Sequence, residues 1–304
     1  MAPLICIASA NGSLGREIAI RLAIIGEEIR VAMFESASVF PPAQYPRVQT
    51  VPIDFSKSES IKEALDGIKK LILLIPCVPQ IDQYVSNVIE CAKKTAVEHL
   101  IFISLWGVEK EPETIFTKWY KTAEYKIIDS PLSYTIVRSN FFMQRLIDYV
   151  EPKKNLISIP LASAAVSFID QRDVAVAISE ITLSSGRHAK CIYELTGQEA
   201  LSMDQVSEFF SETTGEKIRY QNVEAQTVFE TPQFKKTAPF LVDPFMTYFN
   251  NLQSGHASKV SSTYELITGS LPVTVLDFAR DYADTLREKL NGTPETFNPQ
   301  LWFS

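Results

Sequence analysis

The chain contains no Cys-x-x-Cys pair, and its four cysteines, Cys6, Cys77, Cys91 and Cys191, are scattered. Its three histidines, His99, His188 and His256, lie equally far apart. Neither set has metal-ligand spacing, so no metal site is expected. Cys6 and Cys191 fall in stretches that read as strands, which fits buried thiols in a reducing compartment better than disulfides. Basic residues are outnumbered, 29 Lys and Arg against 36 Asp and Glu, for a net charge of −7. That balance argues against nucleic acid and against an anionic membrane surface as partner. No apolar run is long enough to span a bilayer; Leu71 to Pro76 is a strand length. The N-terminal apolar run is too short for a signal peptide and lacks a basic start. A cytoplasmic protein is expected. Internal repeats and low-complexity tracts are missing too. So is a nucleophile elbow, since Gly12-Ser13-Leu14-Gly15 does not have the G-x-S-x-G frame.

What the chain does have is size and alternation. Its 304 residues, 46% of them apolar, can bury a substantial core in one large α/β domain or in a large domain plus a small one;. The stretch Leu4 to Arg21 organises the reading. Leu4 to Ala8 is an apolar strand, Ser9 to Ser13 a tight polar turn, and Leu14 onward a helix with Ile18, Ala19, Leu22 and Ala23 on one face. Strand, glycine turn and helix together aim backbone N–H groups and a helix N-terminus at a pyrophosphate. The three turn positions spaced by three are Ser9, Gly12 and Gly15. Gly12 permits close approach of phosphate, and Gly15 lets the helix pack on the sheet. Ser9 puts a Cβ where the turn is tightest.

Strands follow at 29–34, 48–53, 71–75, 99–105 and 133–138, with helices at 58–68, 81–95 and 117–129 between them. Ser56 and Glu59 make a capping-box pattern before the first of these helices. Regular alternation of this kind gives a parallel sheet with helices on both faces, and ligands lie beyond the strand carboxyl ends. The positions of interest are therefore Ser9 to Ser13, Phe34 to Ser36, Asp54-Phe55, Ile75 to Cys77 and Ser104 to Gly107. Beyond Tyr149 the alternation breaks down. An apolar helix ends near Leu183, a strand covers 190–196, and Ser202 with Gln205 caps another helix. Residues 224–262 are aromatic-rich and weakly periodic, and a last helix spans about 275–290. The division expected is a dinucleotide-binding part over 1–150 and a smaller substrate or lid part over 151–304, with some late strands returning to the main sheet.

The residues resemble the NmrA-like family of atypical short-chain dehydrogenase/reductases. The resemblance is carried by the opening turn, Asp54-Phe55, Ile75-Pro76 and the run Ser133 to Phe142. It continues in Phe168 to Ala175, Tyr193 to Gly197, Ile267 to Gly269 and Asp277 to Ala279. It implies a Rossmann-type doubly wound α/β fold with a smaller C-terminal α/β substrate part. It also implies NAD or NADP held by Ser9, Asn11, Gly12, Ser13, Leu14, Phe34, Glu35, Asp54, Phe55, Ile75, Pro76 and Cys77. Three departures bear on this. Ser9 replaces a glycine, and Phe34 stands where NADPH-preferring relatives place an arginine. Glu35 suits a free ribose 2′-hydroxyl rather than a phosphate, whereas Arg16 is placed to compensate. NAD, NADP and a lost cofactor all stay open.

Tyr120 occupies the position where similar proteins carry His or Lys beside the nicotinamide. A phenol there can donate a proton to a carbonyl or epoxide oxygen; the alternative is a tyrosine packed under the second part. Lys118 or Lys121 would lower its pKa, and Glu124, on the same helix face, would orient it or bind Lys121. The Tyr-x-x-x-Lys pair is absent, because Glu124 stands four residues after Tyr120. Ser104 is a candidate hydrogen-bonding group at a strand end, and Trp106, Asn140, Phe141 and Phe142 are candidate substrate contacts. Asp170, Arg172 and Asp173 read as a salt bridge and helix cap rather than as a site. Three functions follow from the resemblance. One is an oxidoreductase acting on a small apolar carbonyl, quinone or conjugated alkene, with Tyr120 as proton donor. The second is a redox-silent isomerase or cyclase of a hydrophobic metabolite, and the third a dinucleotide-sensing regulator with a protein partner.

Overall fold

The structure is a computed structural model, and it describes residues 4–9, 12–34, 45–110, 113–231, 234–235 and 237–292. The uniformly apolar opening stretch makes β1 (Ile5–Ala8) a strand buried on both faces. Ile5 and Ile7 enter one apolar layer, Cys6 and Ala8 the other;. Then come α1 (Ser13–Ile24), β2 (Ile29–Phe34), β3 (Val48–Ile53), α2 (Ser58–Leu65), β4 (Lys70–Leu73), α3 (Ile81–Ala92), β5 (His99–Leu105), α4 (Ile115–Ile128) and β6 (Ser133–Ser139). A less regular part follows with α5 (Gln144–Asp148), β7 (Val150–Glu151), β8 (Leu156–Ser158), α6 (Gln171–Leu183), β9 (Cys191–Leu195) and α7 (Met203–Thr214). The described chain ends with β10 (Arg219–Gln221), α8 (Ala225–Val228), α9 (Pro239–Gln253), α10 (Thr263–Thr268), α11 (Val275–Asp281) and α12 (Ala283–Asn291).

Seven strands form one parallel sheet in the order β3-β2-β1-β4-β5-β6-β9. The order reverses at β1, which is the doubly wound Rossmann arrangement and opens a crevice between the carboxyl ends of β1 and β4. Helices α1 and α6 cover one face over Ile7, Leu14, Ile18, Leu22 and Ile178. On the other face α2, α3 and α4 bury Cys6, Ile61, Leu73, Val85 and Ile127. That second layer continues without a break into Val150, Ile157, Phe210 and Phe245, so the small β10-β8-β7 sheet shares its core. The late strand β9 pairs with β6 in the main sheet.

Several local expectations change. Ser56 does not cap α2: its hydroxyl and its N–H both bond the Asp54 carboxylate, and the helix starts after Lys57 with no side-chain cap. The segment expected as one helix over 275–290 is broken at Tyr282, whose ring stacks on Phe278 at 4.5 Å and lies under the Arg172 guanidinium. The aromatic stretch holds a 15-residue helix, α9, that buries Leu241, Pro244, Phe245, Tyr248, Phe249 and Leu252. Its spacing is helical, but Pro244 inside it hides the pattern. The Ser202–Gln205 capping box forms as expected. Asp170 caps α6 and pairs with Arg172 at 2.7 Å. All four cysteines are unpaired. Among the described residues no helix is long and apolar enough to cross a membrane, and no acid, His and Cys grouping could hold a metal.

Gly197, after β9, shows why a glycine ends the Tyr193 to Gly197 motif. A Cβ there would overlap the backbone carbonyl of Phe168, and backbone cannot step aside as a side-chain tip can. Gly197→Ala is expected to cost at least about 3 kcal/mol, read from urea denaturation; wild-type stability in that variant would refute the close approach. His99 starts β5 with its two ring nitrogens on the hydroxyls of Ser133 and Thr135, both at 2.9 Å. Burial, with smaller pushes from Lys70 and His188, brings its pKa down to about 4. The unfolded imidazole takes its proton near pH 6.5. Between those values the unfolded chain binds more protons, so this group makes stability rise with pH. The parent-minus-His99→Gln difference in unfolding free energy is expected to climb between about pH 4 and 6.5 by at most ~1.4 kcal/mol per pH unit. A flat difference would contradict a neutral folded His99.

Candidate functional site

The carboxyl edge of the sheet gathers most of the positions singled out in the sequence. At the end of β1, Ser9 adopts φ 63°, the left-handed region that glycine prefers;. It is fully buried, its N–H donates to the Ala32 carbonyl at 2.8 Å, and its hydroxyl has no hydrogen-bond partner. The missing glycine is thus felt twice, as backbone strain and as an orphaned polar atom. Gly12 is the extended N-cap residue of α1 and is followed by exposed Ser13 and buried Leu14. The first turn of α1 has neither a side-chain cap nor an acidic residue, so its amides keep their affinity for an anion. Gly15 lies on the buried face with Ile18 and Leu22. Arg16 is exposed on the same turn.

Beyond β2 and β3 three rings meet: Phe34 stacks on Phe55 at 5.5 Å, and Tyr84 of α3 lies 5.8 Å from Phe55 and 6.2 Å from Phe34. Asp54 is occupied by its own loop. It accepts from the Ser56 N–H and hydroxyl and pairs with Lys57 at 2.9 Å. These bonds, Lys57 first, hold its pKa down at about 2. Ile75, Pro76 and Cys77 follow β4 as buried residues. The cofactor positions Asn11 and Glu35 lie outside the described residues.

Tyr120 is 1% exposed. Its hydroxyl donates to the Ile75 carbonyl at 3.3 Å, and its ring stacks on Phe102 of β5 at 6.0 Å. Burial raises its pKa well above the ordinary phenol range, and Cys77 pushes the same way. The expected lowering by Lys118 or Lys121 does not occur. Lys118 is exposed, and Lys121 pairs with Glu113 at 3.2 Å. Nor does Glu124 orient Tyr120 or bind Lys121. Its carboxylate takes two charge-assisted bonds from Arg138, at 3.0 Å from Nε and 2.6 Å from Nη2, and a third from the Ser104 hydroxyl at 2.5 Å. Ser104 and Glu124 are therefore joined to each other rather than turned to a ligand.

Trp106 walls the edge, 5% exposed, with Nε1 donating to the His256 carbonyl. Asn140 is fully engaged: its amide donates to the Ser167 hydroxyl and the Ala257 carbonyl, and its carbonyl accepts the Phe141 N–H. Phe141 packs edge-on against Phe168 at 5.7 Å. Phe142 bridges to Ile169 and belongs to the apolar layer under α1 and α6, away from Tyr120. Two features escaped the sequence reading. One is the strap over 255–259, which the Trp106 and Asn140 bonds pin across the ends of β5 and β6; no local pattern marks it. The other is Arg138, whose signal was available: a charge inside a buried inner strand of a parallel sheet must have a buried partner;. A cavity of about 410 Å³ lies elsewhere, lined by Tyr149, Ser158, Val223, Val228 and Phe234.

The sequence pattern of the NmrA-like family matches residues 1–270. The chain belongs to the NmrA-like family. It is 25% identical over 282 residues to the NAD(P)H azoreductase of Xenophilus azovorans, covering 92% of this chain and 98% of that protein. The NADPH-dependent quinone oxidoreductase of Escherichia coli, solved with NADPH, superposes with a TM-score of 0.79 at 20% identity over 91% and 99% of the two chains. NmrA, a negative transcriptional regulator solved with NAD, gives 0.73 at 14% identity over 97% and 99%. These structural likenesses establish the shared fold of the NmrA-like chain and its relatives.

One departure of this NmrA-like chain can be weighed directly. Ser9→Gly relieves a left-handed residue and removes an orphaned hydroxyl, against the larger chain entropy of glycine. A net gain of about 1 kcal/mol is expected from urea denaturation. A destabilised variant would show that the Ser9 side chain is satisfied after all.

Proposed function

We propose that this edge binds NAD or NADP and that the protein is an NAD(P)-dependent oxidoreductase of a flat, apolar carbonyl, quinone or conjugated alkene. The observation that carries the reading is the crevice where strand order reverses. There the uncapped, acid-free N-terminus of α1 stands beside the end of β4;. The residues fit a dinucleotide. The α1 amides with Gly12 suit the pyrophosphate, and the Phe34, Phe55 and Tyr84 rings offer a flat apolar wall for adenine;. Ile75 to Cys77 border the nicotinamide end. The lack of a cation at Phe34 favours neither form on its own, since Arg16 is exposed in the first turn of α1. The azoreductase and quinone-reductase relatives support the substrate class.

When bound, the nicotinamide supplies the hydride. The chain's own part is proton delivery and exclusion of water. Burial keeps Tyr120 protonated and raises its pKa, which rules out a resting base; the phenol serves by offering its hydrogen bond to the acceptor oxygen as negative charge develops there. Its proton is parked on the Ile75 carbonyl, so delivery to an acceptor oxygen means exchanging that weak, long bond for a better one. Trp106 and Phe141 are apolar walls, while Asn140 holds the strap rather than the substrate. A second reading, a nucleotide-sensing regulator with a protein partner, draws on the seal around Tyr120 and on the likeness to NmrA.

Purified protein titrated with NADH, NADPH and their oxidised forms is expected to show quenching of tryptophan fluorescence, and NAD(P)H to be consumed with menadione or an enone. Tyr120→Phe is expected to keep nucleotide affinity and lose kcat by at least ~10²-fold. Unchanged turnover removes the proton-donor role. Binding without turnover on a broad acceptor panel favours the regulator, and isomerisation of an apolar metabolite without nucleotide favours a redox-silent enzyme.

A further inference from the structure

The network around Arg138 gives Tyr120 a mechanical partner. Arg138 is on β6, Ser104 on β5 and Glu124 on α4, and all three are nearly fully buried. The guanidinium holds the Glu124 carboxylate with two parallel bonds, and its Nη2 also reaches Glu109 at 2.9 Å, a carboxylate 66% exposed. Ser104 supplies the third bond to Glu124. Tyr120 sits one turn before Glu124 on the same face of α4. Its ring rests on Phe102, which shares a face of β5 with Ser104;. Helix α4 is thus tied to the sheet edge by Glu124, on β5 and β6, and by the Tyr120 hydroxyl, on the segment just after β4; Lys126 ties its far end to Asp82 and Ser86 of α3. A fork of charge-assisted bonds constrains angle as well as distance. Apolar contacts alone would let the helix turn or slide by a fraction of an ångström.

We propose that Arg138 is a positioning residue: through Glu124 and Ser104 it sets the rotation and depth of α4, and so the reach of the Tyr120 hydroxyl. The inference rests on the reading of Tyr120 as the proton donor. A buried ion pair of this kind is weak evidence for stability, because desolvating both charges offsets most of their attraction. Its value here is geometric. A displacement of about 1 Å at a reacting group costs up to ~10²-fold in rate.

The test separates placement from folding and from turnover. The protein has 11 tyrosines, and 3-fluorotyrosine labelling makes each a fluorine NMR signal, with Tyr120 assigned as the one missing in Tyr120→Phe. In Arg138→Met the Tyr120 signal is expected to move while most others stay, and Arg138→Lys is expected to bring it part of the way back. The combination Arg138→Met, Glu124→Met and Ser104→Ala replaces the network by apolar groups. It is expected to recover the thermal stability lost in Arg138→Met, yet keep the displaced Tyr120 signal. With NADPH or NADH and menadione, kcat falls ~10–100-fold in that combination with the KM for nucleotide unchanged. An unmoved Tyr120 signal in both Arg138→Met and the triple variant overturns the proposal, whatever the turnover. If the parent itself turns over no acceptor, the oxidoreductase reading fails, and the fluorine signals still decide the role of Arg138.

Discussion

Everything in this molecule depends on β1 being hydrogen-bonded on both sides by parallel strands, from which the sheet grows outward toward both edges. A strand so placed cannot be followed by a hairpin; each connection must cross over a face, and the reversal puts helices on both. Its carboxyl end cannot be covered by a crossover from either side. The crevice is a topological consequence, and Ser9, Gly12 and Ile75 border it because they lie in the segments that follow β1 and β4. Strain at Ser9 is tolerated for the same reason. The turn is fixed by β1 behind and α1 ahead, so a residue with a Cβ is forced into the left-handed region;.

The second constraint is the polar chemistry buried among apolar layers. Arg138, Glu124 and Ser104 satisfy one another, as do His99, Ser133 and Thr135 at the opposite edge. Asn140 spends both amide donors, on Ser167 and on the strap, and its carbonyl accepts from the Phe141 N–H. Each such group would cost a few kcal/mol if left unpaired. Their partners come from distant parts of the chain, which ties the carboxyl edge into one piece. What remains for chemistry is narrow: a protonated phenol, apolar rings and the amides of one helix.

The fold was legible because its signals are local. Apolar runs, a glycine turn and the spacing of strands and helices need no knowledge of neighbours, and all seven strands of the main sheet read directly from them. The opposite holds for α9, where Pro244 masks a sound helical spacing, and for the break at Tyr282, whose ring packs against an arginine more than a hundred residues away. Asp54 and Ser56 show the same limit at short range. Both are good caps in principle, and only the geometry tells which bonds the other.

The sequence by itself determined the architecture, the family and the absence of metal-ligand spacing, since these follow from residue type and period. The tertiary structure alone decided what each polar side chain at the edge is free to do. Glu124 and Ser104 read as site residues, yet Glu124 is held by Arg138 and Ser104 donates to Glu124; Tyr120 is raised rather than lowered in pKa because it is sealed from water. The physical reason is that charge and hydrogen-bonding capacity are spent on whichever partner lies within about 3 Å. For residues on different strands and helices, that partner is set by packing rather than by spacing along the chain.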